Sequence, residues 1–259
     1  MAKKPTIIIQ ARTGSSRLPS KMILPFFNGK NILDILLQRL LPLKEDKIID
    51  KLIVATSDAP NDDKIQTVCE NNNVICFRGN EKDVLQRFID AAEANNIEDI
   101  IRVCADNIFL DINSLIRLAT TQMEKDVDYI SFQHSDGTPS IKTHFGFFAE
   151  RVKLDTLKKV ASITSDPIYH EHVTNKIYEP DSPFTTLFIP IEAVVHGIES
   201  HPNLRLTTDT ASDFELMQKI YTDVLKYDEQ LKPSSIIEYL GANPQYYEIM
   251  KQNIIQNSK

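Results

Sequence analysis

The sequence predicts an α/β protein built on a mostly parallel β-sheet covered by helices on both faces. Three observations carry that expectation. Short apolar runs alternate with helical periods through the first half of the chain, which is the rhythm of repeated βαβ units. The first run, Ile7-Ile8-Ile9, is apolar at consecutive positions, as in strands buried on both faces. It feeds a loop dense in hydroxyls and cations around one glycine, and in a parallel sheet such a loop falls at the carboxyl edge, where ligands bind.

Taken in order, residues 7–10 read as the first buried strand. Ile32, Leu33, Leu36, Leu37 and Leu40 share one face of a helix. Residues 51–56 form a second strand. Asp62 is placed to cap a helix running to about Asn72, where three consecutive asparagines end it. Residues 74–77 are a third strand, and 83–95 a helix with Val84, Leu85, Phe88, Ala91 and Ala92 inward. A fourth strand at 99–104, a helix at 113–125 and a fifth strand at 129–132 complete the regular half. Beyond it, 143–149 is apolar and aromatic, helical stretches are expected near 151–161 and 167–178, and 184–190 reads as a strand. Residues 210–225 form a helix with Phe214, Leu216, Met217, Ile220, Tyr221, Val224 and Leu225 on its apolar side, followed by a short helix and a polar terminal one. The Ser/Asp/Gly/Thr/Pro cluster at 134–142 is the expected break. The organisation predicted is one domain over residues 1–259, with a smaller lobe between about residues 135 and 200.

A chain of 259 residues buries a full core. Its 42% hydrophobic and 25% charged content is ordinary for a globular protein. The net charge of −7 argues against a nucleic-acid partner, which normally meets a basic stripe. No stretch resembles a signal peptide, and no apolar run approaches a membrane span. Cys69, Cys76 and Cys104 are scattered, odd in number and without a CxxC pair, so a disulfide framework and a zinc site are both unsupported. A reducing cytoplasmic setting is expected.

Three places carry chemistry. The first is Gln10-Ala-Arg-Thr-Gly-Ser-Ser-Arg-Leu-Pro-Ser-Lys21. Backbone N–H groups around a glycine converge on anionic oxygens, arginine forks bind such oxygens bidentately, and a lysine adds a mobile point charge. Arg12, Ser15, Arg17 and Lys21 therefore suit a polyphosphate. Lys21 lacks the preceding glycine and following Ser/Thr of a P-loop, so the loop is more open. The second is Asp106, directly after the fourth strand and on the same rim, where a carboxylate can hold Mg²⁺ against a phosphate. The third is Asp209. Thr210 and Asp213 have capping-box spacing, which leaves Asp209 outside the helix. Singly, each has a plainer reading: a solvated basic loop, a turn aspartate, a residue of the cap. Together they outline metal-assisted transfer on a nucleoside triphosphate.

At this point the chain resembles the CMP-sugar-forming cytidylyltransferases, and within them the spore-coat-polysaccharide type, related to the synthetases that activate Kdo and sialic acids. The resemblance rests on residues 10–21, Val-Ala-Thr-Ser-Asp at 54–58, Phe-Arg-Gly-Asn-Glu-Lys-Asp-Val-Leu-Gln-Arg at 77–87, Glu-His-Val-Thr at 171–174 and Leu-Thr-Thr-Asp-Thr at 206–210. It implies a Rossmann-like nucleotidyltransferase fold, a CTP donor, a dimer through the smaller lobe, and a role in surface glycan synthesis such as capsule or lipopolysaccharide. It implies that Arg12 and Lys21 grip the triphosphate with Ala11, Gly14, Ser15 and Arg17 in the same loop. Asp106 and Asp209 would hold the catalytic Mg²⁺, and Thr56, Ser57, Arg78 and Arg87 would lie near the cytidine.

Two departures bear on the acceptor. Ala105-Asp106-Asn107-Ile108-Phe109 stands where the family often has Gly-Asp-Cys-Pro-Leu, and the aspartate survives. Ile141-Lys-Thr-His-Phe-Gly-Phe-Phe148 replaces a usual Gly-Leu-Asp-Val-Glu pattern, so that Lys142 stands at an apparently acidic position and His144 opens a His-x-Gly-x-aromatic pattern. A cation at 142 favours an anionic acceptor, a sugar acid or a phosphorylated small molecule; a surface lysine is the plainer alternative. The run His170-Glu171-His172 lacks HExxH spacing, and by resemblance Glu171 and His172 line or support the acceptor pocket. A transferase using another nucleotide, or a nucleotide-sugar-binding glycosyltransferase or binding protein on the same fold, stays open. For the glycosyltransferase the sequence offers only Asp126-Val-Asp128, ahead of a predicted strand.

Overall fold

The computed structural model describes residues 3–256. Its strands are β1 (Thr6–Gln10), β2 (Pro25–Phe27), β3 (Lys30–Asn31), β4 (Leu52–Ser57), β5 (Ile75–Gly79), β6 (Asp99–Cys104), β7 (Tyr129–Gln133), β8 (Glu150–Lys153) and β9 (Thr186–Pro190). Its α-helices are α1 (Ile32–Glu45), α2 (Asp63–Asn71), α3 (Val84–Ala94), α4 (Ile112–Thr120), α5 (Leu154–Ile163), α6 (Pro167–Glu171), α7 (Ala211–Val224), α8 (Pro233–Ala242) and α9 (Gln245–Gln256). Seven strands form one sheet in the order β5-β4-β1-β6-β8-β7-β9. All run in one direction except β8, which is antiparallel to both β6 and β7.

The consecutive apolar residues serve two cores, because successive side chains on a strand point to opposite faces. Ile7, Ile9, Leu52, Val54, Ile101 and Val103 pack with α1, α2, α4, α7 and α8 on one face. Ile8, Ile53, Ala55 and Ile100 pack with α3 and α5 on the other. The expected α/β architecture with a mostly parallel, doubly covered sheet is the observed one. The stretch 135–200 supplies β8 and β9 to that same sheet.

Several elements differ from the sequence expectation. Residues 151–153 were expected to open a helix but belong to β8. Glu150 and Arg151 of β8 are buried there, and Arg151 forks onto Asp99 of β6 at 2.6 and 2.9 Å. Arg151 Nη1 also takes the carbonyls of Leu118, Ala119 and Thr121 at 2.7–3.1 Å. Those are open acceptors at the end of α4, and they explain why that helix stops at Thr120 rather than running to 125. The expected helix over 167–178 is the single turn and a half of α6, broken where Val173 takes φ 34°, followed by a 3₁₀ turn at Asn175–Tyr178. The hairpin β2–β3 was not anticipated. Its turn is Asn28-Gly29, with φ 48° and 77°, the tight two-residue connection that Asn-Gly favours. Phe26 sets the hairpin edge-on against Phe214 and Tyr221 of α7, at 5.3 and 5.5 Å.

Candidate active site

The carboxyl ends of β1 and β6 open into a cleft of about 930 Å³. Ala11, Arg12, Gly14, Ser15, Arg17 and Lys21 form one wall, and Asp106 and Asp209 sit at its base. Lys142, Glu171, His172, Asn175 and Tyr178 face them. Residues far apart in sequence thus meet because β1 and β6 are neighbours and because Thr208 N–H donates to the Asp106 carbonyl at 3.2 Å.

Lys21 is the centre of the base. Its Nζ lies 3.0 Å from Asp106 Oδ2, 3.5 Å from Asp209 Oδ1 and 2.5 Å from the Thr208 carbonyl. Burial by itself lowers an ammonium pKa. Here the Asp106 and Asp209 carboxylates outweigh that effect and hold Lys21 above its ordinary value, so it is a fixed positive charge. Arg17 Nη2 reaches Asp209 Oδ1 at 2.9 Å.

Asp209 precedes α7 as expected. Thr210 Oγ1 accepts from Asp213 N–H, and the Asp213 carboxylate accepts from Thr210 N–H, closing a capping box. Asp213 does more than cap, since both its oxygens also receive the buried Arg205 guanidinium, each at 2.8 Å. Arg205, which sequence reasoning did not single out, reaches Asp209 Oδ2 at 3.0 Å as well. Its Nη1 donates to His144 Nδ1 at 2.7 Å, which places the proton of a neutral His144 ring on Nε2. His144 therefore supports Arg205 and does not line the cleft. The sequence signal available was a basic residue followed at equal spacing by two aspartates, Arg205, Asp209 and Asp213.

Arg12 is already paired, its Nη2 lying 2.5 Å from Glu171 Oε1 at the end of α6. The loop carrying Arg12 is anchored by Asp62. Expected as a helix cap, Asp62 makes no capping hydrogen bond. Its buried carboxylate accepts instead from Thr13 N–H and Oγ1, at 2.8 and 2.5 Å, and from Thr56 Oγ1, Ser57 N–H and Ser57 Oγ, at 2.5–3.1 Å. Five donors make this a better site for a carboxylate than one helix end. Thr56 and Ser57 thus face Asp62 rather than the cleft. Arg78 also lies outside it, tied to Asp63 at 2.5 Å and to the Ala59 carbonyl at 2.8 Å. Arg87 is fully buried and donates to the carbonyls of Asn80 and Glu81 at 2.5 and 3.3 Å. The second of those carbonyls also accepts from Arg12 at 3.4 Å.

Arg102, a cation inside the apolar run of β6, was also missed. It reaches the cleft wall, with Nη1 2.5 Å from Glu150 and Nη2 3.1 Å from Gln10. Glu150 further accepts from the Tyr129 hydroxyl and from Thr174 Oγ1. Lys142 lies with Nζ 5.2 Å from the Tyr178 ring centroid, a cation–π distance. Asp128, by contrast, uses its carboxylate to accept from Thr185 N–H at 2.9 Å. It holds the residue before β9 at the start of β7, the end of that strand opposite the cleft.

Among the described residues no group of three or more His, Cys, Asp or Glu forms a metal cage. The pair Asp106 and Asp209 fits a small hard cation of another kind. Both carboxylates converge on the single point now held by Lys21 Nζ, and Mg²⁺ commonly takes one or two carboxylates and fills its shell with phosphates and water.

A family model described as cytidylyltransferase matches residues 6–246. The chain belongs to the cytidylyltransferase family. The chain is 31% identical over 241 residues to the spore coat polysaccharide biosynthesis protein SpsF of Bacillus subtilis, covering 92% of this chain and 94% of that one. An uncharacterized protein of Methanocaldococcus jannaschii is 34% identical over 254 residues, covering 97% and 96%. Among solved structures, a cytidylyltransferase from Leptospira borgpetersenii superposes with a TM-score of 0.78 at 28% identity, covering 96% of this chain and 98% of that one. A CMP:2-keto-3-deoxy-manno-octonic acid synthetase complexed with CTP shares the fold, with a TM-score of 0.61 at 14% identity, over 85% and 99%. No helix among the described residues is long and apolar enough to cross a membrane.

Proposed function

We propose that this cytidylyltransferase transfers CMP from CTP to an oxygen of a small anionic acceptor, a sugar acid or a phosphorylated molecule, and releases pyrophosphate. Mg²⁺ held by Asp106 and Asp209 is part of the proposal. The observation that supports it best is the convergence of both carboxylates on Lys21 beneath the loop that carries Arg12 and Arg17.

In this reading Lys21, Arg12 and Arg17 leave their carboxylate partners for the triphosphate and stabilise charge on the leaving pyrophosphate. Gly14 and Ser15 line its path. Bound Mg²⁺ would neutralise phosphate oxygens. The acceptor oxygen bonds to the α-phosphorus as the bridging bond to the β-phosphate breaks, so positioning does most of the catalytic work. Lys142 favours a negative acceptor on the facing wall, and the chemistry requires no covalent enzyme intermediate.

The likeness to the spore-coat protein supports a place in surface polysaccharide synthesis, and three thiols outside any disulfide accord with a cytoplasmic setting. A homodimer through the 135–200 stretch completes the proposal, with light scattering on the purified chain as its check. The function is tested by pyrophosphate release with CTP, UTP, GTP and ATP, each against a panel of sugar acids and phosphorylated acceptors. The expected result is release with CTP and an anionic acceptor. Preference for another nucleotide, or no release with any pair, would overturn it.

A further inference from the structure

We infer that Arg205 is a positioning residue of this site: it keeps one oxygen of Asp209 inside the protein, so that the carboxylate meets a metal ion through the other oxygen alone. The inference rests on the proposed reading of Asp209 as a metal ligand.

The two oxygens of Asp209 face different surroundings. Oδ1 looks toward the cleft, with Arg17 at 2.9 Å and Lys21 at 3.5 Å. Oδ2 looks inward, with Arg205 Nη2 at 3.0 Å. The cations differ in what they can do next. Arg17 stands on a loop with its side chain 40% exposed, and Lys21 is on the same loop, so an arriving polyphosphate can draw both away from Asp209. Arg205 is 0% exposed and its fork is committed to Asp213 and His144 as well. Turning it toward the cleft would strand the buried Asp213 carboxylate, which is strongly unfavourable.

The frame behind Arg205 is rigid. Asp213 is held by the backbone N–H groups of Asp209 and Thr210, at 3.1 and 3.0 Å. Asn253 of α9 donates to it at 2.9 Å. The Asp209 carboxylate is thereby fixed from the rear by an ion pair that is itself buried. Partners of this kind orient ligating groups, and their loss commonly weakens metal binding about 10- to 100-fold.

The test uses Mn²⁺ in place of Mg²⁺, with CTP present, and counts unbound Mn²⁺ by electron paramagnetic resonance. The double variant Arg205→Met with Asp213→Leu removes the buried charges together, so neither is left unpaired. Arg205→Lys keeps the charge and loses the fork, and serves as the second variant if the double one does not fold. Asp209→Asn is the control. The expected result is Mn²⁺ binding weakened about 10- to 100-fold in either Arg205 variant, with cooperative melting retained. Wild-type Mn²⁺ affinity in the Arg205 variants, beside weakened binding in Asp209→Asn, would overturn the role of Arg205 alone. Wild-type affinity in Asp209→Asn as well would overturn the metal reading and this inference with it.

Discussion

Arg12 and Glu171 form a forked ion pair across the mouth of the cleft, with Nη2 2.5 Å from Oε1 and Nη1 3.4 Å from Oε2. A cation proposed to grip triphosphate is thus held by a carboxylate from α6, and nucleotide entry is a competition between two anions for one guanidinium. Half-exposed pairs of this type contribute about 0.2–1 kcal/mol. Glu171→Gln should therefore bind CTP more tightly, by up to about fivefold, in a calorimetric titration. Weaker binding would mean that Glu171 assists the nucleotide rather than competing with it.

Asp62 anchors the loop through five hydrogen bonds. Burial pushes its carboxyl up, but the donors Ser57, Thr13 and Thr56 outweigh burial and set it below the ordinary carboxylate range. A depressed folded-state pKa gives stability that is full above the unfolded value, near pH 4, and is lost as the pH falls through the folded one. Asp62→Asn should cost roughly 3 kcal/mol at neutral pH and flatten the acid limb of the stability profile, measured by urea melts between pH 2.5 and 7. An unchanged acid limb would contradict this.

The sequence disclosed the strands of the sheet that are buried on both faces, since Ile7-Ile8-Ile9 and its counterparts need no knowledge of partners. Asp106 and Asp209 were legible because they stand beside the ends of β6 and α7, and Lys21 because it closes the cation-rich loop after β1; the structure brings the three together. What the sequence hid was polar and dependent on distant partners. Arg151 looks like the start of a helix, and Glu150 like a turn residue before it, until Asp99 and Arg102 are seen opposite them. Asp62 looks like a cap until Thr13, Thr56 and Ser57 are seen around it. Arg205 is an unremarkable arginine until the fold encloses it with Asp209, Asp213 and His144.

His170 ties α6 to α3. Its Nδ1 lies 2.8 Å from Asp83, the N-cap of α3, and Nε2 3.1 Å from the Thr164 carbonyl. With an acceptor at each nitrogen the imidazolium is favoured, and the Asp83 contact in particular raises its pKa above the ordinary 6.5. A raised folded-state pKa gives stability that is full below the unfolded value and is lost as the pH rises through the folded one. Thermal melts should fall as the pH climbs above about 6.5, and that slope should be absent in His170→Gln. An equal slope in both proteins would place the titrating group elsewhere.

Gly146 has φ 69°, and a Cβ there would stand 2.8 Å from the Leu206 carbonyl oxygen. The close approach lets the His144 carbonyl accept from Leu206 N–H at 2.8 Å and seats the segment leading to Asp209. Gly146→Ala should destabilise by about 1–3 kcal/mol and raise the Mg²⁺ concentration needed for half-maximal pyrophosphate release. A loss of stability with no change in metal requirement would separate that segment from the site.

The central claim, that Asp106 and Asp209 jointly hold the metal for CMP transfer, is tested most directly by the rate of pyrophosphate release at limiting Mg²⁺ in Asp106→Asn and Asp209→Asn. Each should fall by about 10²- to 10³-fold, the usual loss when one group stabilising transition-state charge is removed. Near-normal turnover in both variants would contradict the account.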